Sequence, residues 1–100
     1  MYDLIDRTIV AHIRDYIQKC GGWPSEWYVG IATDARQRLF GDHNVAEHGG
    51  YWIYDQASSE AVARATEAAL LRDGYRGGTG GGREPRFVYA YKITNYTSED

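Results

Sequence analysis

Residues 27–38 change backbone character within one short stretch, and the rest of the chain must accommodate that change. Trp27, Tyr28 and Val29 are β-formers, and the extension stops at Gly30-Ile31. Thr33 and Asp34 then supply helix-capping side chains, and the stretch closes on Arg36 and Arg38. Such a strand-to-helix joint brings a tyrosine hydroxyl and a guanidinium towards one small surface.

Around this joint the chain reads α-β-α-β-α-β. Ile5, Ile9, Ile13 and Ile17 recur every four residues among charged side chains, which predicts an amphipathic helix over 3–19, flanked by His12 and Tyr16 and stopped by Gly21-Gly22. The joint itself predicts a strand over 27–31 and a two-turn helix over 34–40. Tyr51 to Tyr54 is an aromatic run that predicts a second strand. Ser58, Ser59 and Glu60 open a helix over 59–73, with Val62, Ala65, Ala69 and Leu70 inward and Gly74 as its stop. Residues 87–93 alternate Phe87, Tyr89, Tyr91 and Ile93 against Val88, Ala90 and Lys92, a third strand. The expectation is an α+β domain: a small antiparallel sheet of about three strands (27–31, 51–54, 87–93) against helices (3–19, 34–40, 59–73). With 100 residues there is one domain, in which residues 1–20 form an added N-terminal helix and 95–100 are frayed.

Charge and cysteine content narrow the function classes. The net charge of −3 argues against indiscriminate binding to nucleic acid, yet residues 64–92 hold six Lys/Arg against three Asp/Glu, so a local basic face is allowed. The lone Cys20 rules out an intramolecular disulfide and a multi-cysteine zinc site and fits a cytoplasmic setting. The apolar runs are too short for a membrane span, and the first residues lack the pattern of a signal peptide. The three histidines are too scattered to predict a metal cluster. The glycine run between Arg76 and Arg83 matches neither phosphate-binding loop pattern. It reads as a mobile connection, or as a segment whose bare backbone approaches a nucleic-acid strand beside Arg76, Arg83, Arg86 and Lys92.

Tyr28-Val29-Gly30, followed by Thr33-Asp34 and by Arg38 ten positions after Tyr28, resembles the second half of the GIY-YIG endonuclease signature. Glu67, with Leu70 and Leu71 three and four positions on, is similar to the family's helical carboxylate, and His43 lies within one residue of a histidine that many members carry. The first half of the signature is absent upstream, where residues 16–23 are a helix end and a loop. Tyr89-Ala90-Tyr91-Lys92-Ile93-Thr94-Asn95 resembles the family's opening Gly-Ile-Tyr strand instead, displaced to the far end. The resemblance implies a circular permutation, in which Tyr91 takes the first-motif position beside Tyr89, and the strand carrying both lies antiparallel to 27–31.

It further implies a DNA nuclease in which Tyr28 or Tyr91 is general base, Arg38 clamps phosphate and Glu67 holds one Mg²⁺ or Mn²⁺. His43 would stand on the nucleic-acid side. Chemistry asks for the same groups, since phosphodiester hydrolysis needs a base, charge compensation on the phosphoryl oxygens and a tyrosine pKa brought down by positive charge. Each residue also has an ordinary reading: Tyr28 as a half-buried strand tyrosine, Arg38 as a solvated helix arginine, Glu67 as a surface acid near Arg64. Glu60 competes for the carboxylate role but is explained by the helix dipole. The competing function is a non-catalytic module that binds nucleic acid or a protein on the same scaffold.

Overall fold

The computed structural model describes residues 3–78 and 82–99 of the chain. Helix α1 (Arg7–Cys20) leads through a 3₁₀ turn (Pro24–Glu26) into strand β1 (Trp27–Ala32). A π-helical turn (Gln37–Asp42) precedes strand β2 (Trp52–Gln56), helix α2 (Glu60–Leu71) and strand β3 (Phe87–Lys92). The sheet order is β1-β3-β2, and both pairings are antiparallel, so the last strand in the chain is the central one. The expected α+β class, with three antiparallel strands and covering helices, is what the chain adopts.

The elements follow from local chemistry, with shifts at their ends. The Asp6 carboxylate accepts hydrogen bonds from the Thr8 and Ile9 amides at 3.0 and 3.1 Å, so α1 begins at Arg7 and not at Asp3. Ile9, Val10, Ile13 and Ile17 are its buried stripe. Ser59 caps α2 by accepting from the Val62 amide at 3.2 Å. The innermost residues of α2 are Ala63, Thr66 and Leu70, one notch round from the expected face. Thr66 tolerates burial because its hydroxyl accepts the Asp6 amide at 2.9 Å, which ties the start of α1 to α2. Helix α2 ends at Leu71, two residues short of the expected stop, and turns through Gly74, whose φ of +100° suits glycine.

Two further expectations give way. The first strand runs one residue beyond the expected Ile31, in register to Ala32. Residues 94–99 are not frayed: Thr94 and Thr97 close a side-chain-to-backbone turn, and the Asn44 amide donates to the Tyr96 carbonyl at 2.8 Å.

Period-two alternation divides the sheet. Val29, Ile31, Val88 and Ala90 face α1 and α2 and form an aliphatic core with Ile13, Ile17, Ala63 and Leu70. Tyr28, Ala32, Tyr89 and Tyr91 face the other way, under Leu39 and Val45 of the segment that joins β1 to β2. Among the described residues no helix is long and apolar enough to cross a membrane.

Candidate functional site

The aromatic face of β1 and β3 gathers most of the chemistry-bearing residues. Tyr28 lies directly opposite Tyr91, and Gly30 opposite Tyr89. The Tyr28 ring stacks on Tyr91 with centroids 5.1 Å apart and on Tyr89 at 6.3 Å. Gly30 is required here by space. A Cβ on it would sit 2.5 Å from the Tyr89 hydroxyl and 2.6 Å from the carbon that carries it.

Beyond β1, the Asp34 carboxylate accepts from the Gln37 amide at 3.1 Å and starts the expected turn, which then widens into π geometry. The wide turn closes when the His43 amide donates to the Arg38 carbonyl at 2.9 Å. The helical piece therefore reaches Asp42 and folds His43 under Tyr28, with ring centroids 4.7 Å apart.

His43 is 1% exposed and fully engaged. Its Nδ1 lies 2.6 Å from the Ser98 carbonyl, an acceptor only, so Nδ1 carries the proton and donates. Nε2 is then the acceptor and receives the Tyr89 hydroxyl at 2.7 Å. The Tyr91 hydroxyl donates to the same Ser98 carbonyl at 3.2 Å and lies 3.1 Å from Nδ1. Burial holds the His43 pKa below its ordinary value, the Ser98 carbonyl opposes this, and Arg38 reinforces it. His43 is thus a neutral bridge inside the fold, enclosed where the resemblance had implied a nucleic-acid contact.

Arg38 and Glu67 act on the same hydroxyls with opposite sign. Burial raises the Tyr28 pKa, Arg38 lowers it and Glu67 raises it, while the nearby Gly78 backbone amide favours the phenolate. Burial, Tyr28 and Glu67 push Tyr89 up and Arg38 opposes them. Tyr91 is pushed up by burial, then by Tyr28 and Glu99, against Arg76. Arg38 pairs with Asp42 at 3.4 Å, and with Thr33, Asp34, Gln37 and Gly82 it lines a cleft of about 190 Å³. Glu67 is half-buried, and its carboxyl is raised by desolvation against the influence of Arg64.

Arg76 reaches this face by an unexpected route. Its amide donates to the Trp27 carbonyl and its carbonyl accepts from the Val29 amide, both at 2.8 Å, so it forms a parallel bridge on the free edge of β1 opposite Tyr28. The expected basic face is otherwise dispersed. Arg83 and Arg86 are exposed at the other end of the sheet, beside Thr33 and Ala32. Lys92 alternates with Tyr91, leaves from the opposite face and holds its ammonium 5.8 Å over the Tyr51 ring. Residues 79–81 of the glycine run lie outside the described residues.

Sequence reasoning missed Ser98, Glu99 and Gly78 as members of this cluster. Only Gly78 carried a signal, as a glycine beside a basic residue. The polar residues after β3 carried none.

Among the described residues no three His, Cys, Asp or Glu side chains converge as a metal cage. Mg²⁺ does not need one, since it takes one or two carboxylates and keeps waters or phosphate oxygens. A half-buried carboxylate whose charge is penalised by desolvation fits that role, because a cation reverses the penalty. No protein-family model, curated relative or solved structure matches this chain.

Proposed function

We propose that this chain is a metal-dependent nuclease domain of the GIY-YIG type that hydrolyses phosphodiesters in DNA. The observation that carries the reading is the cross-strand pairing and ring stacking of Tyr28 with Tyr91; the charges of Arg38 and Glu67 push the Tyr28 pKa in opposite directions. The central position of β3, the strand that resembles the family's opening motif, supports it.

In this reading Arg38 exchanges Asp42 for a phosphoryl oxygen, to which its planar donors are better matched. Water attacks phosphorus while Tyr28, as its phenolate, takes a proton from the water; the bond to the leaving sugar oxygen breaks, and that oxygen takes its proton from solvent. Glu67 would hold the Mg²⁺ or Mn²⁺, and the cation would supply positive charge that joins Arg38 in favouring the Tyr28 phenolate. His43 stays neutral and positions Tyr89 and Tyr91 through their hydroxyls. A lone cysteine, with no disulfide to preserve, is compatible with a reducing cytoplasmic setting.

The test is cleavage of single-stranded, double-stranded and branched DNA by the purified protein with Mg²⁺ or Mn²⁺. Tyr28→Phe, Arg38→Ala and Glu67→Gln should each slow it by about 100-fold or more. Cleavage unchanged by Arg38→Ala and Glu67→Gln would show that this site does not perform it.

A second reading is a module that binds nucleic acid or a protein without turnover. It is favoured by the pairing of Arg38 with Asp42 and of Arg76 with Glu99, which leaves both cations neutralised within the chain. DNA binding that weakens with salt, without cleavage under any metal, would select it over the nuclease. Binding insensitive to salt would point to a protein partner.

A further inference from the structure

The segment after β3 is built to deliver one carboxylate. The turn at Thr94 and Thr97 and the contact from Asn44 to the Tyr96 carbonyl fix its path. Ser98 is then held through both its backbone amide and its backbone carbonyl. Its amide donates to the His43 carbonyl at 2.7 Å, and its carbonyl accepts from the His43 ring and from the Tyr91 hydroxyl. The next residue, Glu99, places Oε1 2.7 Å from Nε of Arg76. Arg76 is itself set in register opposite Tyr28 by two backbone hydrogen bonds. Two residues on, Gly78 approaches the Tyr28 hydroxyl so closely that a Cβ on it would lie 2.8 Å away.

This arrangement has the parts of a phosphate site: a guanidinium on a fixed backbone, a bare glycine amide beside it, and an anion already seated. A carboxylate and a phosphodiester offer a guanidinium the same pair of acceptor oxygens. We propose that the place held by the Glu99 carboxylate is a subsite for a backbone phosphate of the nucleic acid, contacted by Arg76 and next to Tyr28. Residues 94–98 form an anchored strap that holds the Glu99 carboxylate in this subsite until a nucleic acid displaces that carboxylate. The inference rests on the preceding section for the identity of the ligand as a phosphodiester strand, and on the Arg76–Glu99 pair for the subsite itself. Displacement is easy because the pair is partly exposed and surface ion pairs are weak. Ser98 and the turn behind it remain anchored by their own hydrogen bonds.

The experiment is a double-mutant cycle on the full chain. Fluorescence anisotropy of a labelled DNA duplex is read at low salt in EDTA, so that binding is measured without cleavage. Glu99→Gln should tighten binding about 2–5-fold by removing the competitor. Arg76→Gln should weaken it, and in the Arg76→Gln background the gain from Glu99→Gln should vanish. Glu60→Gln removes the same charge elsewhere and should leave the affinity within error. A gain that persists without Arg76, or an equal gain from Glu60→Gln, would reduce the effect to net charge and overturn the subsite.

A second arm separates the subsite from the proposed function. Inorganic pyrophosphate is titrated into the protein while the Arg76 Nε–H resonance is followed by NMR. Glu99→Gln should shift this resonance at lower pyrophosphate concentration than the parent chain. If pyrophosphate moves it while no DNA binds, the subsite stands and the nucleic-acid reading falls. If neither chain responds to pyrophosphate, the subsite is overturned whatever DNA does.

Discussion

The two faces of one pair of strands have been put to opposite uses. Towards α1 and α2, β1 and β3 present Val29, Ile31, Val88 and Ala90, whose only business is to exclude water. Towards the π-helical turn the same strands present Tyr28, Tyr89 and Tyr91, with His43 and the Ser98 carbonyl completing their hydrogen bonds. One face is apolar and locally self-sufficient. The other buries polar groups that are stable only while every partner is in place. Stability should therefore be concentrated on the first face and chemistry on the second.

Substitutions can break this division or sharpen it. The largest effect is expected from Ile13→Ala, which empties a fully buried position on the aliphatic side. It should cost about 2–5 kcal/mol in urea unfolding while the proposed DNA binding, measured per folded molecule, is retained. Loss of binding in the folded fraction would mean that the faces are coupled.

Gly30→Ala comes next. The new methyl would drive into Tyr89 and displace its hydroxyl from His43, at about 1–3 kcal/mol. Unlike Ile13→Ala, it should also disturb the Tyr28 and Tyr91 ring resonances in NMR. A stable protein with unshifted tyrosines would show that the network does not constrain the site.

The smallest effect has the most informative sign. Glu67 has its folded pKa raised above the ordinary 4.5, so its favourable contribution is present below that value and is lost as pH rises through the raised one. At neutral pH its desolvated charge opposes folding. Glu67→Gln should then stabilise the protein by about 0.5 kcal/mol near pH 7, with the gain disappearing below pH 4.5 in thermal melts at a series of pH values. A stabilising substitution that removes activity is the signature of a group retained for function. Destabilisation at neutral pH would make Glu67 structural.

How far each face was legible follows from how local its causes are. The isoleucine repeat of α1 and the strict alternation in β3 are written in consecutive residues, and the structure follows both. The pairing of Tyr28 with Tyr91 was legible because Tyr89 to Asn95 resembles a known opening strand. What was lost depends on space. Whether Asp3 or Asp6 caps α1 is decided by which carboxylate meets the Thr8 and Ile9 amides. Gly30 sat near an expected strand end, yet its role is to leave room for a ring 59 positions away. His43 looked like a surface ligand because nothing near it in sequence announces Tyr89 and Ser98. The ion pair of Arg76 with Glu99 joins two stretches that read separately as a loop and a frayed end.

The sheet order has a consequence for how the molecule comes to exist. Strands β1 and β2 are both hydrogen-bonded to β3, which lies last in sequence between them. As the chain leaves the ribosome, α1, β1, β2 and α2 are complete before the strand that joins them has been synthesised. Both outer strands wait with unpaired edges, and pairing must close loops of more than fifty residues for β1 and about thirty for β2. Folding should therefore be late and all-or-none. A chain cut short before residue 87 lacks the strand through which β1 and β2 are joined.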